Sequence, residues 1–220
     1  KPFLFKDHWK RLERSASELG LRIPVGASEA ESIMCDLIAR HGYEYMIVRT
    51  VLSGGPSGGG FLPEGKETLS IMIEETKPMA EALYEHGAKV ITREYEREFP
   101  ESKTTKYIFP ISLRKEKADA DAVEILYVKD SRILEASTSN FFLVKDGVII
   151  TSAKGVLGGI TRKLIIRLAS ELDIPVEERD IAVAELDTCD ETFLTASNKQ
   201  VLPVVSVDGS AIGDGSVGLI

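Results

Sequence analysis

Cysteine is nearly absent from this chain. Cys35 and Cys189 are the only two among 220 residues, too few for a disulfide framework and at no spacing that holds a metal. That usage suits a reducing cytosol, so a cytoplasmic protein is expected. Histidine is almost as scarce. His8, His41 and His86 have no ligand spacing to one another and read as surface or helix-end residues, so no metal is expected. No run of Lys and Arg stands out, and the net charge is −8 with a pI of about 5.1, which argues against nucleic acid as a partner. No apolar run is long enough to cross a bilayer and none reads as a signal peptide, so no membrane partner is expected.

What remains is an ordinary globular mixture, 43% hydrophobic and 28% charged, long enough for one large domain or two small ones. No internal repeat or low-complexity segment interrupts it. The chain starts at Lys1 inside an amphipathic pattern and stops just as an apolar segment begins after Asp214-Gly215-Ser216. Both ends therefore read as truncated.

The stretch Leu134-Glu135-Ala136-Ser137-Thr138-Ser139-Asn140-Phe141-Phe142 carries the most chemistry. A lone carboxylate precedes a run of small hydroxyl residues, with apolar strand-like segments at 123–128, 140–144 and 148–150 on either side. Buried there, Glu135 needs a cation or a protonated nitrogen as partner. The plainer alternative is a strand edge with an exposed Glu135 and a polar turn. The second signal is Gly158-Gly159-Ile160-Thr161-Arg162, at the start of the clearest helix, residues 160–172. Ile160, Leu164, Ile165, Leu168 and Leu172 repeat there at helical spacing. Glycines before a helix free its backbone amides to face an anion, and the helix dipole adds to the attraction. A simple capped helix start is the competing reading.

The other elements follow from pattern. Residues 6–19 form a helix with the stripe Trp9, Leu12, Ala16 and Leu19, which leaves Lys10, Arg11 and Arg14 off the apolar face. Residues 28–41 form a second helix with Ser28 as N-cap. Strands are expected at 45–52, 68–75, 88–96, 176–181, 192–195 and 201–207. A short helix is expected at 77–86, stopped by Gly87, and another at 111–118, started by Pro110. The glycine-rich loop 53–60 lacks the Lys-Ser/Thr of a phosphate-binding loop and reads as a surface or active-site loop. Pro100 breaks the pattern across 97–107. Lys145-Asp146-Gly147 is a hairpin turn, and Ala196-Ser197-Asn198-Lys199 is a polar turn after a strand.

In their order and spacing, Phe5 to Leu12, Lys103-Thr104-Thr105, Glu135 to Phe142, Gly159 to Arg162 and Phe193 to Asn198 resemble the class IV (fold-type IV) aminotransferases. These use pyridoxal 5′-phosphate (PLP) and include branched-chain and D-amino-acid aminotransferases and 4-amino-4-deoxychorismate lyase. The resemblance runs along nearly the whole chain. It implies an α+β, two-domain fold with the cofactor at the domain interface, in a homodimer. The smaller N-terminal α/β domain would span residues 1–83 and the larger PLP-binding domain residues 84–220.

The resemblance also implies residue roles. Lys103, about thirty residues before Glu135, would form the Schiff base with the cofactor and carry protons, with Lys106 as its rival in the same segment. Glu135 would keep the pyridine nitrogen protonated. Arg11, the amides of Ile160 and Thr161, the Thr161 hydroxyl and Ser197 would hold the phosphate. Tyr107, one position from where branched-chain enzymes carry a tyrosine, would meet the phenolic oxygen. The Asn198 amide would meet the substrate carboxylate. The implied activity is transfer of an amino group between an amino acid, branched-chain-like, and a 2-oxo acid. The same cofactor would also serve a lyase acting on aminodeoxychorismate. A phosphate-metabolite-binding module without chemistry would need neither Lys103 nor Glu135. Set against the resemblance, residues 1–220 are expected to lack counterparts of the family's N-terminal strand and final helix, and loop 53–60 lacks the Arg and His that D-amino-acid enzymes place there.

Overall fold

In the computed structural model, which describes residues 2–60 and 62–220, the chain divides into two compact units, Lys1–Pro78 and Met79–Ile220. The first holds helices α1 (Phe5–Glu18) and α2 (Ala27–Arg40) and strands β1 (Met46–Ser53) and β2 (Thr68–Glu75). The strands pair antiparallel, from Met46 opposite Glu75 to Ser53 opposite Thr68. Leu69 and Ile71, alternate residues of β2, pack with Val48 onto a core of Phe5, Trp9, Ala30 and Met34. Of the expected stripe of α1, Trp9 and Leu12 pack here and Ala16 is buried, whereas Leu19 lies past the helix end and is 38% exposed.

The second unit runs through α3 (Ala82–Glu85), β3 (Ala88–Glu94), α4 (Ile108–Ser112), α5 (Arg114–Asp119), β4 (Glu124–Lys129), β5 (Arg132–Ala136), β6 (Asn140–Lys145) and β7 (Val148–Thr151). It continues with α6 (Ile160–Glu171), β8 (Val176–Glu178), β9 (Ile181–Ala182), β10 (Glu191–Ala196), β11 (Gln200–Val207) and β12 (Ser210–Ala211). Among the described residues the strands form one sheet in the order β8-β7-β6-β10-β11-β3-β4-β5-β9, with β12 on β11. Its central strands are buried on both faces, which is why they read as continuous apolar runs rather than alternating ones. In β6, Phe141 and Leu143 join the larger core with Leu126, Leu194 and Leu202. Phe142 and Val144 point the other way, toward Ile165, Ile166 and Ala169 of α6. Phe142 lies directly opposite Phe193 of β10, and their rings stack with centroids 4.8 Å apart.

Several boundaries differ from the sequence reading. The N-cap of α2 is Gly26, in extended conformation, so Ser28 lies inside the helix and does not cap it. The helix expected at 77–86 is confined to Ala82–Glu85; Pro78 disfavours helical geometry at the residue before it. Pro110 does not start the helix at 111–118. It is the third residue of α4, in the first turn, where a missing N–H breaks no intrahelical bond. The strand expected at 176–181 splits, since Val176–Glu178 pairs with β7 and Ile181–Ala182 with β5, at opposite ends of the sheet.

Gly87 stops α3 as expected, with φ +77°, and a Cβ there would lie 2.3 Å from Val205 Cγ1. Both the left-handed backbone and the close approach select glycine. Gly87→Ala is expected to cost about 1–3 kcal/mol, read as a lower Tm in thermal unfolding. An unchanged Tm would contradict this role.

Candidate active site

Glu135 is placed by a bulge. Leu126 pairs with Ala136 and Val128 with Ile133, so β5 carries one residue more than β4 over this interval. Ile133 and Ala136 both face the larger core, and strict alternation from Ile133 would have put Glu135 there too. A bulge re-aims side chains in this way. Glu135 is nonetheless only 5% exposed, which overturns the reading of an exposed glutamate at a strand edge.

Its carboxylate is met on both oxygens. Arg97 donates from Nε to Oε1 at 2.8 Å, with Nη2 2.6 Å from the same atom. The Leu157 N–H donates to Oε2 at 2.9 Å and Asn140 Nδ2 at 3.3 Å. Burial pushes the Glu135 pKa up; Arg97, the Leu157 N–H and the positive charge of Lys103 work against it, and the net shift is upward. Arg97 also donates to the carbonyls of Ser102, at 3.0 Å, and of Pro100. One guanidinium thus neutralises Glu135 and shapes the irregular segment ahead of Lys103.

Lys103 is exposed, and its Nζ donates to the Tyr107 hydroxyl at 3.3 Å. Lys106 has a different environment. It pairs with Glu98 at 2.6 Å, and that bond raises its pKa. The two lysines of the segment are therefore distinguishable, one facing Glu135 electrostatically and the other held protonated by a carboxylate.

Asn140 extends the network to α6. Its Nδ2 also donates to the Leu157 carbonyl at 2.8 Å, which in turn accepts the Gly159 N–H at 2.7 Å. A Cβ on Gly159 would lie 1.9 Å from Asn140 Oδ1, so only glycine lets the helix start this close to the sheet. Among the described residues no side chain caps α6, contrary to the capped-start reading. The first amides of a helix have no intrahelical partners and favour an anion. Ile160 and Thr161 supply two of them. Thr195 of β10, 2% exposed and directly opposite Asn140, has a hydroxyl with no hydrogen-bond partner among the described residues. An orphaned hydroxyl, an uncapped helix start and a buried acid are a donor and acceptor set that suits a ligand bearing a basic nitrogen and an anionic group.

The turn after β10 exposes Ser197 and Asn198 and buries Lys199. Lys199 Nζ lies 2.8 Å from Glu124 Oε1 of β4. Arg11 belongs to the first unit, on α1, half-buried with Nη2 3.4 Å from His8 Nδ1.

The family model for class IV amino-transferases matches residues 1–207. The chain belongs to the class IV aminotransferase family. The D-alanine aminotransferase of Listeria monocytogenes is 28% identical over 227 residues, covering 100% of this chain and 78% of that protein. The crystal structure of the Escherichia coli branched-chain amino acid aminotransferase superposes with a TM-score of 0.89 at 26% identity, over 99% of this chain and 75% of that one. The T.th. branched-chain amino acid aminotransferase, solved with pyridoxamine 5′-phosphate, gives 0.89 at 29% identity, over 98% and 74%. The fold is therefore that of the fold-type IV aminotransferases, as the resemblance implied.

In this class IV aminotransferase Lys103 and Tyr107 lie in the segment between β3 and α4, Glu135 in β5, Ile160 and Thr161 in the first turn of α6, and Ser197 and Asn198 in the turn between β10 and β11, all within the second unit. Sequence reading missed three residues that hold this arrangement. Arg97 and Lys199 look like any other surface cations in the sequence, and Glu124 carries no signal beyond standing in an apolar run at 123–128. That last feature was the available clue, since a carboxylate inside a buried strand requires partners.

Glu124 generates a pH prediction. Burial opposes its ionisation, but Lys199 and the hydroxyls of Ser137 and Thr138 outweigh it and hold the carboxyl below its ordinary 4.5. The unfolded chain then takes up the proton first as pH falls. The stabilisation is present above pH 4.5 and is lost as pH drops through the lowered folded value. Acid unfolding followed by circular dichroism should show a shallower dependence below that pH in Glu124→Gln than in the wild type. Equal slopes would contradict the assignment.

Proposed function

We propose that this aminotransferase uses PLP to move an amino group between a branched-chain-like amino acid and a 2-oxo acid. The observation that carries this reading is the buried Glu135, linked through Asn140 to the uncapped start of α6. An acid for a ring nitrogen and amides for a phosphate are held in one hydrogen-bonded frame. The cofactor bound to the T.th. relative has both groups. The absence of Arg and His from residues 53–60 counts against a D-amino-acid reading.

In this reading the Glu135 carboxylate holds the proton on the ring nitrogen, whose positive charge would offset the desolvation that pushes the acid's pKa up. Ile160, Thr161, Ser197 and Arg11 bind the phosphate, with Tyr107 at the phenolic oxygen. The Asn198 amide orients the substrate carboxylate. When bound, PLP supplies an electrophilic aldehyde carbon and an electron sink. Lys103 would hold the cofactor through that carbon, with loss of water, and once displaced by the substrate amine would move the proton at the substrate Cα, which requires it to be neutral part of the time. Lys106, held protonated by Glu98, is poorly suited to this. We further propose that residues 1–83 act as a small domain and residues 84–220 as the cofactor domain of a cytoplasmic homodimer. Among the described residues no helix is long and apolar enough to cross a membrane.

Borohydride reduction of the loaded enzyme and peptide mapping should find the pyridoxyl label on Lys103. Lys103→Ala should keep bound cofactor but lose activity by more than about 10²–10⁴-fold. A label on Lys106 would refute the assignment. Arg11→Ala and Thr161→Ala should each weaken PLP binding about tenfold, through loss of one charge-assisted or helix-end bond to a dianion. Fluorescence titration giving wild-type affinity in both would refute the phosphate site.

A further inference from the structure

We propose that the buried Lys199–Glu124 ion pair is a positioning device that holds the Ser197-Asn198 turn at a set place relative to Glu135. This rests on the proposed function, which gives that turn the phosphate and the substrate carboxylate. The last rung of the β6–β10 ladder is Asn140 opposite Thr195. Beyond it the two chains leave the sheet as the 137–139 loop and the 197–198 turn, with no ladder bonds to keep them in register.

Glu124 and Lys199 bridge this gap. The lysine ammonium lies 2.8 Å from Glu124 Oε1 and donates to Thr138 Oγ1 at 2.8 Å. The same carboxylate accepts from the hydroxyls of Ser137 and Thr138 and from Ser139 Oγ at 2.9 Å. Glu124 and Lys199 are 2% and 7% exposed. The backbone of Lys199 is fixed as well, with its N–H on the Ala196 carbonyl at 3.2 Å and its own carbonyl accepting from Tyr84 Oη at 3.0 Å. One charged pair thus joins the segment that follows Glu135 to the turn that carries Ser197 and Asn198.

Stability alone does not explain such a pair, because well-packed apolar residues commonly replace buried ion pairs at no loss. A carboxylate satisfied by one ammonium and three hydroxyls admits far fewer loop arrangements than an apolar patch would. The ring nitrogen site and the phosphate and carboxylate sites are separate segments of chain, and small misplacements between reacting groups are costly.

The test compares Lys199→Met, Glu124→Gln/Lys199→Met and Lys199→Arg with the wild type. Lys199→Met strands a buried carboxylate and should lower Tm, accelerate amide exchange over 196–200, and raise KM for the amino acid about tenfold or more with a smaller change in kcat. The double variant leaves no charge stranded. It should recover Tm while keeping the fast exchange and the high KM, and Lys199→Arg should restore both towards wild type. Recovery of KM and exchange together with Tm in the double variant would show a merely structural pair and overturn the proposal. Wild-type exchange in Lys199→Met would overturn it too. Exchange is measured on the protein without cofactor, so a wild type that failed to bind PLP would count against the function while exchange still decided on the pair.

Discussion

A carboxylate sealed between β-strands has to be given positive charge or a proton, and the way Glu135 is supplied organises the second unit. Arg97 alone would neutralise it. Arg97 also grips the backbone of Pro100 and Ser102, so the charge that tolerates Glu135 also shapes the approach to Lys103. On the other oxygen, Asn140 and the Leu157 amide tie the acid to the start of α6. An upward pKa shift despite a guanidinium at 2.6 Å reflects the severity of its desolvation. Such a group gains from a ligand that brings its own basic nitrogen into the site.

The same solution recurs on the neighbouring strand. Glu124, the first residue of β4, is buried as well and is answered by Lys199 and three hydroxyls. Two buried acids, each with one cation, flank the small-residue run 136–139. The need for small side chains there has a physical cause. Larger ones would occupy the space in which the hydroxyls reach Glu124, just as a Cβ on Gly159 would strike Asn140.

Much of this was legible in the sequence, for reasons that differ by element. α1, α6 and β2 were readable because one buried face imposes its period on the residues. Glu135, Gly159 and Thr161 stood out because acids beside buried strands and glycines before helices have few uses. The family resemblance added Lys103, which no periodicity marks. Partnerships across the fold were not legible. Arg97 lies 38 residues from Glu135 and Lys199 lies 75 from Glu124, and only the strand order brings them together. The bulge in β5 was hidden too, because an extra residue leaves no mark in a run of apolar side chains.

The claim that Glu135 serves as a proton-holding partner for a ring nitrogen can be put to one measurement. Glu135→Gln keeps the shape and the hydrogen bonds to the Leu157 amide but cannot carry the charge. In a single-turnover reaction of the PLP-loaded variant with an amino acid, followed by the visible absorbance of the cofactor, conversion should slow by more than about a hundredfold, the scale on which loss of one preorganised electrostatic partner acts, with cofactor still bound. A variant that binds the cofactor and converts it at the wild-type rate would show that the buried acid serves only the fold.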